Sequence, residues 1–293
     1  MRYYRWYTPY LFVLPMLAGL LLFRIGPIIA SLIMSFTDWN IRTNPTWIGL
    51  ANYAELLESR TFWLVLRNTF VFVAVFVPAT VVLGLLMALL VNQKLRGIAF
   101  FRGLLFMPYV TSMVAVALGW NWIFSTRFGV LNSLLEMLPG VSRGPAWLAD
   151  GNLTLWVLII VSVWKSVGFQ MMVFLAGLQG IPQDIVEAAR IDGANRRQLF
   201  WHITLPLLSP VTFFVIIITI IDAFKTFEVT YTMTQGGPRG ASSTLAFFIY
   251  QNAFVFQRMG YASSAATVLV ILIALITIIN FAARRRWVAQ QVS

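Results

Sequence analysis

Asn68–Asn92 reads NTFVFVAVFVPATVVLGLLMALLVN, a run without a single charged residue. A helix needs about 20 mostly apolar residues to cross the hydrocarbon core of a bilayer. In lipid, backbone N–H and C=O groups must be bonded within the protein, so only helices and closed β-barrels can span. Barrel strands alternate apolar and polar residues over roughly ten positions. This run does not alternate. Its Pro78 is acceptable in a membrane helix, where neighbours can satisfy the freed carbonyl. The stretch is therefore read as a transmembrane helix.

The same reading extends outward to six spans: Leu11–Phe36, Asn68–Asn92, Gly103–Phe124, Leu153–Gln179, Val211–Met233 and Tyr261–Ala283. Composition agrees, with 59% hydrophobic and only 11% charged residues. Soluble domains hold about half apolar and a quarter charged residues. Water cannot solvate so greasy a chain, so lipid must. The first span is too long for a cleavable signal, and no small-residue cleavage site follows it. It carries Arg24 near its middle. With no internal repeat or linker, one all-α membrane domain over residues 1–293 is expected.

The net charge of +11 does not point to nucleic acid, because the basic residues sit between the spans. Eleven of the 21 basic residues, among them Arg2, Arg5, Lys94, Arg102, Arg190 and Arg284–Arg286, fall on one side, and seven fall on the other. The positive-inside rule then places both termini in the cytoplasm. The chain has no cysteine and a single histidine, His202, so disulfides, thiolate nucleophiles and Cys/His metal sites are excluded. In the outer loops, Asn52–Leu66 and Phe128–Leu138 show helical spacing of apolar and charged residues, suited to interfacial or packing helices.

The inner loop 180–210 is the most informative. It runs Gly180-Ile-Pro-Gln-Asp-Ile-Val-Glu187-Ala188-Ala189-Arg190-Ile-Asp192-Gly193-Ala194 and ends Ile203-Thr-Leu205-Pro206. Pro182 suits a first helical turn. Asp184 and Glu187 complement the amino end of the macrodipole. Gly193 is a natural stop. A second short helix, Asn195–His202, is expected before Pro206. Ala188 and Ala189 would let another surface approach closely. On spacing alone the loop is either a docking element or a plain connector.

Glu187-Ala-Ala, Gly193 and the Ile203-x-Leu205-Pro206 ending resemble the EAA loop of ABC-importer permeases. Trp47-Ile-Gly-Leu-Ala-Asn52-Tyr53, Trp164-Lys165, Phe224-Lys225-Thr-Phe227-Glu228 and Met233-Thr-Gln-Gly236-Gly237-Pro238 narrow the resemblance to the carbohydrate-uptake branch, similar to maltose and glycerol-phosphate permeases. Arg24 departs from that family's usual apolar residue. The resemblance implies the six-helix type I importer fold with a cytoplasmic coupling helix. Glu187, Ala188, Ala189, Asp192 and Gly193 would dock on an ATPase. The implied partners are a second homologous permease in a heterodimer, two ATPase subunits that bind ATP and Mg, and an extracytoplasmic solute-binding protein that delivers a sugar.

Polar residues within spans are costly and face a bundle interior or a wet cavity. Ser162, Lys165, Ser166 and Phe169 share one helical face, and Thr219, Asp222, Ala223 and Thr226 repeat that spacing. By the resemblance, Ser162, Ser166, Phe169, Thr219, Asp222, Ala223 and Thr226 match positions that contact solute. Two other readings stand beside this one. The hydroxyls could simply join helices. Lys165, Lys225, Asp222 and Glu228 could form an ion-pair cluster, or the lysines could attract an anion.

The sequence lacks a Gly-x-x-x-x-Gly-Lys-Ser/Thr phosphate loop, so ATP would act through another subunit. The alternative is an ion-coupled secondary transporter using Asp222 and Glu228 as proton carriers. Such folds commonly have repeats and discontinuous helices, and the sequence shows no sign of either. A membrane enzyme is disfavoured, since His202 lies far from the intramembrane acids.

Overall fold

The computed structural model describes residues 7–93, 95–139 and 143–287, giving the backbone alone for 284–287. Arg2, Arg5 and Lys94, used above to orient the chain, lie outside the described residues, as do the side chains of Arg284, Arg285 and Arg286. In chain order the helices are α1 (Thr8–Met34), α2 (Ala51–Glu58), α3 (Arg60–Val91), α4 (Ile98–Val110), α5 (Met113–Ile123), α6 (Val130–Glu136) and α7 (Thr154–Gln179). They continue as α8 (Gln183–Ile191), α9 (Arg196–Leu207), α10 (Ser209–Phe224), α11 (Glu228–Met233), α12 (Leu245–Val255) and α13 (Met259–Trp287). Among the described residues, α1, α3, α7 and Met259–Ala283 of α13 are each long and apolar enough to cross a membrane. The bent pairs α4–α5 and α9–α10 bring the number to six if each counts as one span.

Two expected spans are corrected. Gly103–Phe124 is not one helix: it breaks after Val110 and turns by 95°. Thr111 and Ser112 there are extended, with ψ of 140° and 133°. Val211–Met233 also breaks, α10 ending at Phe224 and α11 beginning at Glu228. Polar residues sit at both breaks, Thr111-Ser112 and Lys225-Thr226, but unbroken helices such as α7 carry Ser162, Lys165 and Ser166 as well, so composition did not mark the breaks. Discontinuous helices are thus present, contrary to the expectation that disfavoured an ion-coupled carrier. The second span also begins earlier than expected, at Arg60, directly after the short helix α2.

Two of the helix prolines leave the same mark. Leu21–Ile25 and Phe200–Thr204 are π-helical turns, each followed two residues on by a proline, Pro27 and Pro206. The amides of Gly26 and Leu205 reach back five residues, to the carbonyls of Leu21 and Phe200. A proline ring clashes with the carbonyl four residues earlier. The widened turn relieves that clash and lets the helix continue. Pro206 therefore does not end the second loop helix, which runs to Leu207 rather than His202.

The chain divides into two compact units. The first comprises residues 1–60 and 248–271. No residue of α1 is buried within the chain. After α1 come two short antiparallel strands, β1 (Thr37–Asp38) and β2 (Thr46–Trp47). Asn52, buried at the start of α2, donates through Nδ2 to the carbonyls of Ser35 and Thr37, both at 2.9 Å. Gly260 packs so closely that a Cβ there would collide with the Thr37 carbonyl. Arg258 pairs with Glu55 at 2.6 Å, and this bond raises its pKa above the ordinary arginine value.

The second unit comprises residues 61–247 and 272–293. Its core joins Ala88 and Val91 of α3, Met171, Phe174 and Leu178 of α7, and Leu208 and Val215 beside and within α10. Lipid is as apolar as these side chains, so close packing rather than expulsion from water holds such helices together. Glycines provide the approach. A Cβ at Gly177 would lie 2.8 Å from both Leu208 Cδ1 and Val211 Cγ2, and one at Gly168 would collide with the Leu105 carbonyl.

Candidate functional site

Two regions of the second unit collect the residues singled out by sequence. The first is a cavity of about 590 Å³ within the spans. Helix α7 contributes Ser162, Lys165 and Ser166. The end of α10 and the break after it contribute Asp222, Lys225 and Thr226, and α11 begins with Glu228. Phe76, Tyr109 and Met113 supply apolar walls. The break that places Lys225 and Thr226 here is itself supported: Thr244 Oγ1 donates to the Thr226 carbonyl at 2.7 Å.

Three expected members lie outside this lining. Phe169 stacks on Tyr109, with ring centroids 4.8 Å apart. Thr219 is fully buried and accepts from Gln170 Nε2 at 3.1 Å. Ala223 is buried beside it on α10. Spacing correctly put the two stripes on helix faces, but a face is wider than one cavity. Sequence reasoning missed Tyr109 and Met113, because a run read as one straight span offers no bend to turn them towards the cavity.

Lys165 is neither a free cation nor the hub of an ion-pair cluster. Its Nζ donates to three backbone carbonyls, those of Pro108 at 3.3 Å, Tyr109 at 3.0 Å and Thr111 at 2.7 Å. An ammonium has three N–H donors.

The second region is the inner loop. Helix α8 begins after Pro182, which stands at the N-cap rather than in the first turn. It ends in a Schellman turn: Gly193 has φ of +87°, its amide bonds the Arg190 carbonyl at 3.1 Å, and the Ala194 amide bonds the Ala189 carbonyl at 3.0 Å. Left-handed backbone is what glycine permits. Asn195 then opens α9 with a capping box, its side chain and that of Gln198 each accepting a backbone N–H at 2.9 Å. Local sequence chemistry alone sets this helix-turn-helix.

The loop separates two depressions. Glu187 and Arg190 line one of about 690 Å³, together with Asn92 and Arg102. Asp192 and Gly193 line another of about 310 Å³, with Gln198 and His202. Ala188 is exposed and Ala189 half-buried. Arg102 also closes the end of α3, donating to the Val91 carbonyl through Nη2 at 2.8 Å.

The architecture defines a helical, multi-span membrane protein. The chain aligns with a chain of a bacterial alginate ABC transporter at a TM-score of 0.84 over 96% of this chain and 94% of that one, at 22% identity, which shows the shared fold. Residues 80–288 match the family of binding-protein-dependent transport system inner membrane components. The chain is 39% identical to a probable ABC transporter permease protein, YesP of Bacillus subtilis, over 95% of this chain and 91% of that one. It is 34% identical to the trehalose/maltose transport system permease protein MalF of Thermococcus litoralis, over 92% and 91%. It is also 34% identical to the arabinooligosaccharides transport system permease protein AraP of Bacillus subtilis, over 93% and 87%. The chain belongs to the binding-protein-dependent transport system inner membrane component family, and is a permease subunit of an ABC transporter, with the ATPase in a separate subunit. That membership displaces the ion-coupled alternative.

Proposed function

We propose that this chain forms one half of the path of an ATP-driven importer for an uncharged sugar. The observation that carries the reading is the cavity inside the spans, where Ser162, Ser166, Thr226, Asp222 and Glu228 offer hydroxyl and carboxylate groups together. Such groups accept and donate to sugar hydroxyls, and apolar walls such as Tyr109 suit a sugar face. The N–H groups of Lys165 bond to carbonyls without loss of its charge, so Lys165 and Lys225 together offset the two acids. That balance favours a neutral polyol over an anion. The sugar names carried by MalF and AraP agree with this choice.

The path is completed by a second homologous permease, with both termini of this chain in the cytoplasm. A solute-binding protein delivers the sugar from outside. Two ATPase subunits bind ATP and Mg and receive α8 through Glu187, Ala188, Ala189, Asp192 and Gly193. Closure of the ATPases moves α8 as a lever, and the spans open outward.

The test is purification from native membranes. Co-purification of ATPase subunits, a second permease and a binding protein is expected, followed by a screen of neutral and acidic sugars against that binding protein. Membrane vesicles loaded with ATP and lacking a proton gradient should take up the sugar so identified. Uptake driven by a proton gradient alone would refute the reading.

A further inference from the structure

We infer that Lys165 is a positioning residue: its ammonium caps the broken α4–α5 span and holds the bend that walls the cavity, rather than standing as a cation offered to solute.

In an unbroken helix, the carbonyls of Pro108 and Tyr109 would accept from the amides of Ser112 and Met113. The extended backbone at Thr111 and Ser112 turns those amides away. The Thr111 amide still reaches Met107, and the new helix begins with Val116 bonding back to Ser112. The carbonyls of residues 108–111 fall in the gap between the two ladders. Non-helical backbone within a span needs partners from the protein or from a wet cavity. Lys165 supplies donors to three of these four carbonyls at once.

Charge agrees with this geometry. The carboxyl end of a half-helix is the negative end of its dipole, and a cation is favoured there. The neighbouring residues on α7 serve the same contact. Gly168 gives the Leu105 carbonyl room, and Phe169 stacks on Tyr109 at an interplanar angle of 19°. Lys165, Gly168 and Phe169 thus form a seat for the end of α4, and Lys165 lines the cavity beside Ser162 and Ser166. A solute anion could recruit Lys165 only by taking its donors from the bend. The identity of Lys165 as a cap does not depend on the solute; only the cavity's role rests on the proposed function.

The chain has no cysteine, so Ser112→Cys places a single thiol in the bend. Its rate of reaction with methyl methanethiosulfonate, an uncharged reagent that does not sense the lysine charge directly, would be measured in the assembled transporter in native membranes. Lys165, Lys165→Met and Lys165→Arg backgrounds would be compared. We expect Lys165→Met to change the rate by about tenfold, the scale of losing charge-assisted hydrogen bonds. Lys165→Arg, which keeps cationic donors, should restore it to within about twofold of the parent. Should Lys165→Met fail to insert, Lys165→Gln, with two donors, takes its place with an intermediate rate expected. Equal rates in the parent and the methionine or glutamine variant would overturn the inference. So would an arginine variant that behaves like methionine. Failure of the sugar-importer reading would leave these rates untouched.

Discussion

Gln170 Nε2 donates to Thr219 Oγ1 at 3.1 Å and ties the middle of α7 to the middle of α10. Both residues are buried, and Thr219 passes its own proton to the Val215 carbonyl at 2.7 Å. Gly84 of α3 makes the pair possible, since a Cβ there would lie 2.7 Å from Gln170 Cβ. Thr219→Val should therefore act on stability and not on solute recognition. The expected loss is about 0.6 kcal/mol, the average for hydrogen bonds between membrane helices. Half-saturation of uptake should stay within about twofold. A large rise in half-saturation with unchanged unfolding would return Thr219 to the solute path.

Gly168→Ala should sharply reduce the yield of folded chain. Its new methyl meets the Leu105 carbonyl, a backbone atom that cannot rotate away. Overpacking of this kind costs about 1–3 kcal/mol. Gly103→Ala and Gly119→Ala, with nothing within 4 Å of the new atom, serve as controls and should be tolerated. Detergent extraction followed by size-exclusion chromatography reads the difference.

Asn52→Ala and Glu55→Gln should differ in size although three residues apart on α2. Asn52 is buried and holds two backbone carbonyls that would be left without a donor. Each such buried group costs about 1–3 kcal/mol. Glu55 forms an exposed pair with Arg258, and pairs of that kind contribute about 0–1 kcal/mol. Thermal unfolding of the purified chain should show a clear drop for the first variant and little change for the second. Comparable drops would mean that the Glu55–Arg258 pair is worth far more than its exposure implies.

Glu187→Lys should abolish uptake while leaving the chain inserted and the binding protein's affinity for its sugar intact. The substitution reverses charge on the exposed face of α8, where the ATPase is proposed to dock. Normal uptake by this variant would count against α8 as the lever.

Asp222→Asn and Glu228→Gln should weaken solute recognition without removing the dependence on ATP. Both acids line the cavity. The half-saturation concentration should rise by about tenfold, the scale of one lost charged hydrogen bond. If uptake instead became independent of pH only in these variants, proton coupling through them would be indicated.

Much of this protein was legible in its residues. Long uncharged runs such as Asn68–Asn92 identify membrane helices because lipid demands internally bonded backbone whatever the neighbours do. The inner loop was equally readable, since Gly193, Asn195 and Gln198 act on atoms within a few positions of themselves. Two local readings still missed. Pro206 does not end its helix, because a π turn absorbs the ring, and Pro182 stands one position before the helix it was expected to open.

What the sequence by itself determined is where the chain enters lipid, that its spans are helical, and how α8 stops and α9 starts. Each follows from solvation or from contacts between near neighbours. Only the tertiary structure decided where the spans break, which polar residues share a cavity, and that Lys165 caps α4 from more than 50 positions away. A broken helix is tolerated in a membrane where other parts of the protein or a wet cavity supply the missing partners, and here a distant lysine does so. The polar residues at the breaks, Thr111-Ser112 and Lys225-Thr226, do not differ in kind from Ser162 and Lys165 inside the unbroken α7, so no reading of one segment alone could reveal a break.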